Sequence, residues 1–285
     1  MRVALVTNKT STDLITDGPP LLAAFGELGV DVDVVQWGSG PRWAAFDAVV
    51  IRNTWDYIFD RDGFLAWAEA VAAETALANA ADVLRWNTDK RYLRELEAAG
   101  IRTVPTAWVE AGDAVPTVEW DDFVVKPSVS CGARLSARYR LGDDIAGHIE
   151  RIHGIGAAAM IQPYVGPMDG RHETGVYVFG GEVSHAIRKE PVLDDVRVPQ
   201  DDLSGGANQV VGPSEVATDL AAHALGVLQC APSVLYARVD TVLDPDGEPM
   251  LMELEVTEPF LFLEHAPDGA PRFARAVADW VSRSR

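Results

Sequence analysis

Residues 234–260 read VLYARVDTVLDPDGEPMLMELEVTEPF. Two β-rich runs flank Asp244-Pro245-Asp246-Gly247, a turn signal, so the stretch is expected to be a β-hairpin. Side chains alternate faces along a strand. Arg238 and Asp240 therefore share one face of the first strand, and Glu253 and Glu255 one face of the second. With Leu243 opposite Met250 across the turn, Asp240 falls opposite Glu253 and Arg238 opposite Glu255. The other faces carry Val239, Leu243, Met252, Leu254 and Val256, which belong in a core. Like charges directly opposite on a sheet repel. Three carboxylates on one patch need a cation: either Arg238 on a solvated polar face, or a hard divalent ion such as Mg²⁺, which takes oxygen ligands.

The chain around this hairpin has 285 residues, 48% of them hydrophobic and 24% charged, an ordinary globular balance with room for one large or two to three small domains. No apolar run reaches transmembrane length, and the apolar part of MRVALVTNKT is too short for a signal peptide, so a cytoplasmic location is expected. Two cysteines, Cys131 and Cys230, are too few for a disulfide framework or a zinc site. A net charge of −19 speaks against nucleic acid and anionic membrane as partners. Among 24 basic residues only Lys9, Lys90, Lys126 and Lys189 are lysines. Codon bias explains that equally well, but a lysine kept in an Arg-rich background marks a place where a compact ammonium is needed.

Upstream, RVALVT (2–7), DVDVVQW (31–37) and DAVVIR (47–52) read as strands. Helices are expected after Pro19-Pro20, ending at Gly29, and over 62–73. This is an open α/β domain of residues 1–85, with ligands expected at strand C-termini. No GxGxxG follows the first strand. The third strand runs into Arg52-Asn53-Thr54-Trp55-Asp56. There Arg52 suits a substrate carboxylate, or pairs with Asp56 to order the loop with Trp55 as local core. Both readings stand. Thr88 is expected to cap a helix, DKRYLRELEAAG, with Lys90 in its first turn, an unfavourable place for a cation against the helix dipole. A short strand is expected within 101–109, around Pro105.

Residues 122–126 (DFVVK) form a strand ending at Lys126. The small-residue loop Pro127-Ser128-Val129-Ser130-Cys131-Gly132-Ala133 then lets backbone N–H groups approach an anion, although the P-loop order is absent. Cys131 reads most simply as a small residue there. Strands at 135–139 and 157–165 with a helix at 143–154 complete a small subdomain. ETGVYVF (173–179) and EVSHAIRK (182–189) form a hairpin around Gly180-Gly181, with His185 a structural histidine. Residues 190–212 lack periodicity and read as a long functional or disordered loop, with Gly205-Gly206 suggesting a cover. Helices are expected over 214–229, capped by Ser214, and 271–282, packing Phe273, Val277 and Trp280 inward. The Ala-rich helix 65–73 suits core or a dimer interface, leaving a homo-oligomer open.

In order, Lys90 in DKRYL, Lys126 in FVVKP, the loop 128–133, Gln162-Pro163-Tyr164-Val165, Glu173, Arg188-Lys189, Arg238-Val239-Asp240 and Glu253-Leu254-Glu255 resemble the ATP-grasp superfamily. The resemblance spans roughly residues 85–265. Within it the stretches LVT…PPLL, RWNTDKRYLRELEAAGI, IQPYV, VSHAIRK, ARVD and GEPMLMELEVTEP are similar to the O-ureido-serine cyclo-ligase group of cycloserine biosynthesis. RNTWDY and SVSCGAR depart from that group. The resemblance implies an ATP-grasp fold, α/β with an α+β C-terminal part: the open α/β domain 1–85, a lid and central subdomain 86–165, and a C-terminal subdomain 166–285 with the metal site. It implies ATP between two sheets, with Lys90, Lys126, Ser128, Ser130 and Gly132 on its phosphates. Gln162, Tyr164 and Val165 would hold adenine, and Glu173 the ribose.

It further implies Asp240, Glu253 and Glu255 as ligands of Mg²⁺, with Mn²⁺ as a substitute, though Glu255 stands where the family often has Asn. Arg238 and Lys189 would be catalytic. Arg52, Trp55, Arg197 and Glu258 are the expected substrate contacts. The implied activity is an ADP-forming carboxylate–amine ligase that makes a C–N bond through an acylphosphate. Its substrates would be an amino acid or small peptide carboxylate and an amine, including an intramolecular cyclo-ligation. A small-molecule kinase, or a nucleotide-binding protein without turnover, is the alternative.

Overall fold

The computed structural model describes residues 1–165, 173–189, 193, 199, 208–211 and 218–283. Strands β1 (Arg2–Thr7), β2 (Asp31–Gln36), β3 (Ala48–Asn53) and β4 (Leu77–Ala78) form a parallel sheet in the order β2-β1-β3-β4. Nearly continuous apolar runs make β1 and β3 central, because a parallel strand is covered on both faces. One face packs on α2 (Arg61–Glu74) through Val6, Ile51, Trp37 and Phe64. The other packs Val3, Leu5 and Phe25 of α1 (Gly18–Glu27) against Tyr177, Tyr236 and Phe273 of the C-terminal part, so one core joins the two ends of the chain.

Two short helices follow, α3 (Ala81–Asn87) and α4 (Tyr92–Ala98). The expected single helix capped by Thr88 is not formed. Thr88 ends α3, and its Oγ1 accepts a hydrogen bond from Arg61 Nε at 2.8 Å. Lys90 lies in the turn between the helices, so the helix-dipole reason for singling it out does not apply.

The strands β5 (Ala107–Val109), β6 (Asp122–Pro127), β7 (Ala137–Arg140) and β8 (Ala159–Pro163) form an antiparallel sheet, β5-β8-β6-β7, backed by α5 (Ala146–Gly154). Residues 101–106 add only an isolated bridge from Thr103 to Leu251. The third sheet is antiparallel, β11-β10-β9-β12-β13, made of β9 (Glu173–Phe179), β10 (Glu182–Lys189), β11 (Asn208–Val211), β12 (Tyr236–Leu243) and β13 (Pro249–Glu255). β11 falls inside the stretch expected to be a loop. Arg197, Gly205-Gly206 and Ser214 lie outside the described residues. Helices α6 (Thr218–Cys230) and α7 (Gly269–Arg283) cover this sheet, with Phe273 and Val277 buried. Among the described residues no helix is long and apolar enough to cross a membrane.

The opening hairpin has the expected cross-strand pairs Asp240 with Glu253 and Arg238 with Glu255. Its turn is one residue off the expected register. Val242, not Leu243, opposes Met250, and a β-bulge between Asp240 and Thr241 absorbs the difference. A bulge sets two residues against one. Met252 is the extra residue, half-exposed beside Glu253 at the margin of the small core of Val104, Val242 and Met250.

Candidate active site

The site lies on the face of β9, β10, β12 and β13 that meets the end of β6. Asp240 is held there by Arg238 and Lys189. Arg238 donates from Nε to Oδ1 at 2.9 Å and from Nη2 to Oδ2 at 2.9 Å, and Lys189 Nζ reaches Oδ2 at 2.8 Å. Arg238 also pairs with Glu255, and Lys189 with Glu173 at 2.8 Å. Burial alone would raise the Asp240 carboxyl. Arg238 and Lys189 outweigh it and hold the group at about 2. Burial pushes Glu255 the other way, up to about 7, with Glu253 and Asp240 adding to it against Arg238.

Gly175 makes this packing fit. A Cβ there would sit 2.9 Å from Asp240 Oδ1 and 3.1 Å from Arg238 Cδ. It was missed in the sequence, although glycine inside a strand marks close approach of another group.

Lys90 joins the site to the loop that follows β6. Its Nζ lies 3.0 Å from Glu253 Oε1 and donates to Ser130 O at 2.8 Å, while its N–H donates to Ser128 O at 2.8 Å. Burial would weaken the ammonium, but Glu253 more than restores it. Glu253 in turn is held below the usual carboxylate range, Lys90 and Lys126 outweighing burial.

Lys126 differs from its neighbours. Among the described residues its ammonium has no carboxylate partner, only the Met252 thioether at 3.8 Å. Burial lowers its pKa. Met252, displaced by the bulge, thus replaces the expected core residue with a soft neighbour for the cation.

The loop is anchored by Ser128, whose N–H donates to Ala158 O at 2.8 Å and whose Oγ accepts from Ala158 N at 3.2 Å. Ser130 Oγ donates to Arg134 O at 2.8 Å, and Gly132 has φ +58°. Cys131 Sγ lies 3.4 Å from Trp55 O, and burial raises its thiol pKa. Of the expected adenine set, Gln162 is buried and donates to Thr106 Oγ1 at 2.8 Å. Tyr164 lies under the Arg138 guanidinium, 3.5 Å from its ring centre, and Val165 packs with Val104, Val242, Met250 and Met252.

β13 is an edge strand whose polar backbone is covered. Tyr92 OH donates to Leu254 O at 2.9 Å and accepts from Leu254 N at 2.8 Å. Asn87 holds Leu254 O at 2.7 Å and Val256 N at 3.0 Å. An edge without such cover is free to pair elsewhere; here Glu253 and Glu255 are carried on a fixed strand.

The expected substrate contacts divide. Arg52 is 1% exposed and faces the interior, donating to Pro259 O at 2.6 Å beneath Tyr236 and Phe273. It makes no pair with Asp56, which takes Trp37 Nε1 at 2.7 Å and Lys9 N at 3.0 Å. Trp55 and Phe260 face each other with ring centres 6.3 Å apart. Glu258, 6% exposed, lies near Tyr57, Cys131 and Lys90.

The three expected metal ligands are oxygen donors of the kind Mg²⁺ takes. Among the described residues no three acidic, His or Cys side chains converge on one point, because each carboxylate is turned toward a cation of the chain. Glu255 is raised first by burial and then by Glu253 and Asp240, and a divalent ion would offset both, so the donor set suits such an ion.

Residues 3–79 match the family model described as D-cycloserine synthetase DcsG, N-terminal domain. Over 292 aligned residues, 97% of this chain and 98% of the relative, the sequence is 36% identical to the cycloserine biosynthesis protein DcsG of Streptomyces lavendulae. The crystal structure of D-cycloserine synthetase DcsG superposes with a TM-score of 0.84 at 33% identity, covering 99% of this chain and 100% of that one. D-alanine–D-alanine ligase from Bacillus anthracis, complexed with ATP, shares the fold with a TM-score of 0.70 at 16% identity, covering 100% and 98%.

Proposed function

The chain belongs to the ATP-grasp ligase family of the cycloserine synthetase DcsG, and from that premise we propose that it is an ATP- and Mg²⁺-dependent, ADP-forming ligase. It would join the carboxylate of an amino acid or small peptide to an amine, with ring closure within one molecule as the leading case, in the cytoplasm. One observation carries the reading. Lys126 is a half-buried ammonium with no carboxylate partner among the described residues, set at the end of β6 between a small-residue loop and four carboxylates that already have cations. A cation so placed suits an anion brought from outside, such as a phosphate.

In this reading Lys126 and Lys90 neutralise phosphate oxygens, and Lys90 keeps the loop 128–133 over them through its bonds to Ser128 and Ser130. Val165, Val104, Met250 and Met252 offer an apolar slot for a base. Asp240, Glu253 and Glu255 would hold Mg²⁺, which supplies charge neutralisation between phosphates when bound. Arg238, oriented by Asp240 and Glu255, faces the phosphoryl group in transfer, and Lys189 fixes Asp240. A substrate carboxylate oxygen attacks the γ-phosphorus and ADP leaves. The amine then attacks the acyl carbon of the acylphosphate, and phosphate leaves. Positioning and charge neutralisation supply most of the rate in phosphoryl transfer, so no nucleophilic side chain is needed.

The test is Mg²⁺-dependent ADP release against amino acids and dipeptides of both hands, including both enantiomers of O-ureidoserine, with mass spectrometry of the products. Substrate-dependent ADP release with a condensed or cyclised product is expected. A stable phosphorylated product would assign a kinase, and bound ATP without turnover on any of them would refute the ligase reading.

A further inference from the structure

Glu258 is a buried carboxyl without a hydrogen-bond or ion-pair partner among the described residues. Of the cations within electrostatic range, Lys90 and Arg238 are committed to Glu253 and to Asp240 and Glu255, and Arg52 donates to Pro259 O rather than to Glu258. Isolated buried carboxylates are costly, so this one weakens the fold unless something else meets it.

Its surroundings are under-satisfied as well. Thr7 Oγ1, Arg52 Nε, Asn53 Nδ2 and Thr54 Oγ1 are all buried without hydrogen-bond partners. Thr7 and Asn53 are cross-strand neighbours at the C-terminal ends of β1 and β3, the edge where open α/β sheets take ligands. The same end of the sheet meets the segment carrying Glu258 through the Arg52 bond to Pro259 O and the Trp55–Phe260 contact. Four buried polar groups without partners at one strand end call for a polar ligand.

We propose that Glu258 is the anionic anchor for the ammonium group of a zwitterionic amino-acid substrate, held between the strand ends of the N-terminal sheet and residues 257–260. This rests on the ligase reading and narrows its substrate class to carboxylates bearing a free, cationic amine. Trp55, Phe260 and Tyr57 supply the walls, and Arg238 and Glu255 lie on the side where the carboxylate reacts.

The test is calorimetric titration, in the presence of Mg²⁺ and a non-hydrolysable ATP analogue, of the common amino acids of both hands. Each is paired with the 2-hydroxy acid lacking the amine, and both wild type and Glu258→Gln are titrated. At least one amino acid is expected to bind about 10- to 100-fold tighter than its hydroxy acid, the value of one charge-assisted bond. Glu258→Gln should erase that preference, and Glu258→Asp should keep part of it. Because the carboxyl has no hydrogen bond or ion pair among the described residues, Glu258→Gln should melt no lower than wild type. The proposal is overturned if no amino acid outbinds its hydroxy acid, if the preference survives in Glu258→Gln, or if that variant melts well below wild type. Mn²⁺ binding that is lost in Glu258→Gln would overturn it too, by making Glu258 a metal ligand. An amine preference without ADP release would retain Glu258 as the anchor and remove the ligase reading instead.

Discussion

Replacing Lys126 with Met separates a ligand-binding cation from a structural one. In the protein the ammonium faces the Met252 sulfur at 3.8 Å and no carboxylate among the described residues. Its charge therefore gains little inside the fold and loses hydration, as its lowered pKa records. Lys126→Met should leave stability unchanged or raise it by up to about 2 kcal/mol, the range seen when a poorly compensated charge gives way to an apolar side chain. Nucleotide binding should move the other way. One charge–charge contact at about 4 Å with an effective dielectric near 20 is worth about 4 kcal/mol. ATP affinity should then fall between about 10- and 1,000-fold. The assays are chemical denaturation and calorimetric titration with Mg·ATP. Lys90→Met is the contrast: it strands Glu253 and the Ser130 carbonyl, so it should cost both affinity and about 3 kcal/mol of stability. Unchanged ATP affinity in Lys126→Met, or a loss of stability like that of Lys90→Met, would refute the reasoning.

Gly175→Ala should preserve the fold but cut turnover about 100-fold, because its Cβ, 2.9 Å from Asp240 Oδ1, must displace a carboxylate pinned by Arg238 and Lys189; steady-state ADP release at saturating ATP checks this. Asp240→Asn and Glu253→Gln should each be nearly inactive in the same assay, and full ATP turnover in both would remove the metal-site assignment. His185, stacked on Tyr177 and hydrogen-bonded to Leu261 O at 2.9 Å, is lowered from 6.5 to about 4 by burial. The unfolded chain thus binds its proton first, and stability is full above about pH 6.5 and lost as pH falls toward 4, by about 3 kcal/mol. His148 and His223, also lowered by burial, add in the same direction. Urea denaturation at pH 7 and 4.5 should show that loss reduced in His185→Gln.

The geometry of the candidate site was legible where it depends on local alternation. Arg238, Asp240, Glu253 and Glu255 followed from strand period alone, and the bulge happened to restore pairs that the turn register had shifted by one. The same bulge hid Met252, since nothing in MLMELE marks which residue is extra. Lys90 stood out for a reason that did not hold. A helix break at Thr88 replaced the dipole effect with a bridge between Glu253 and the loop, which depends on contacts 38 to 163 residues distant in sequence. Arg52 was read as a substrate-carboxylate contact or a partner of Asp56, from the polar stretch around it. Its partner Pro259 lies 207 residues away, and the core formed by Tyr236 and Phe273 closes over it. Gly175 carried a readable signal that the apolar pattern of ETGVYVF obscured.

The most direct measurement of the ligase assignment follows oxygen. A substrate found by ADP release is labelled with ¹⁸O in its carboxylate, and the inorganic phosphate formed in one turnover is analysed by mass spectrometry. Phosphate carrying one ¹⁸O is the expected result, because the carboxylate oxygen that attacks the γ-phosphorus leaves with it when the amine takes the acyl carbon. Unlabelled phosphate would mean that water attacked the nucleotide, and the acylphosphate route would be wrong.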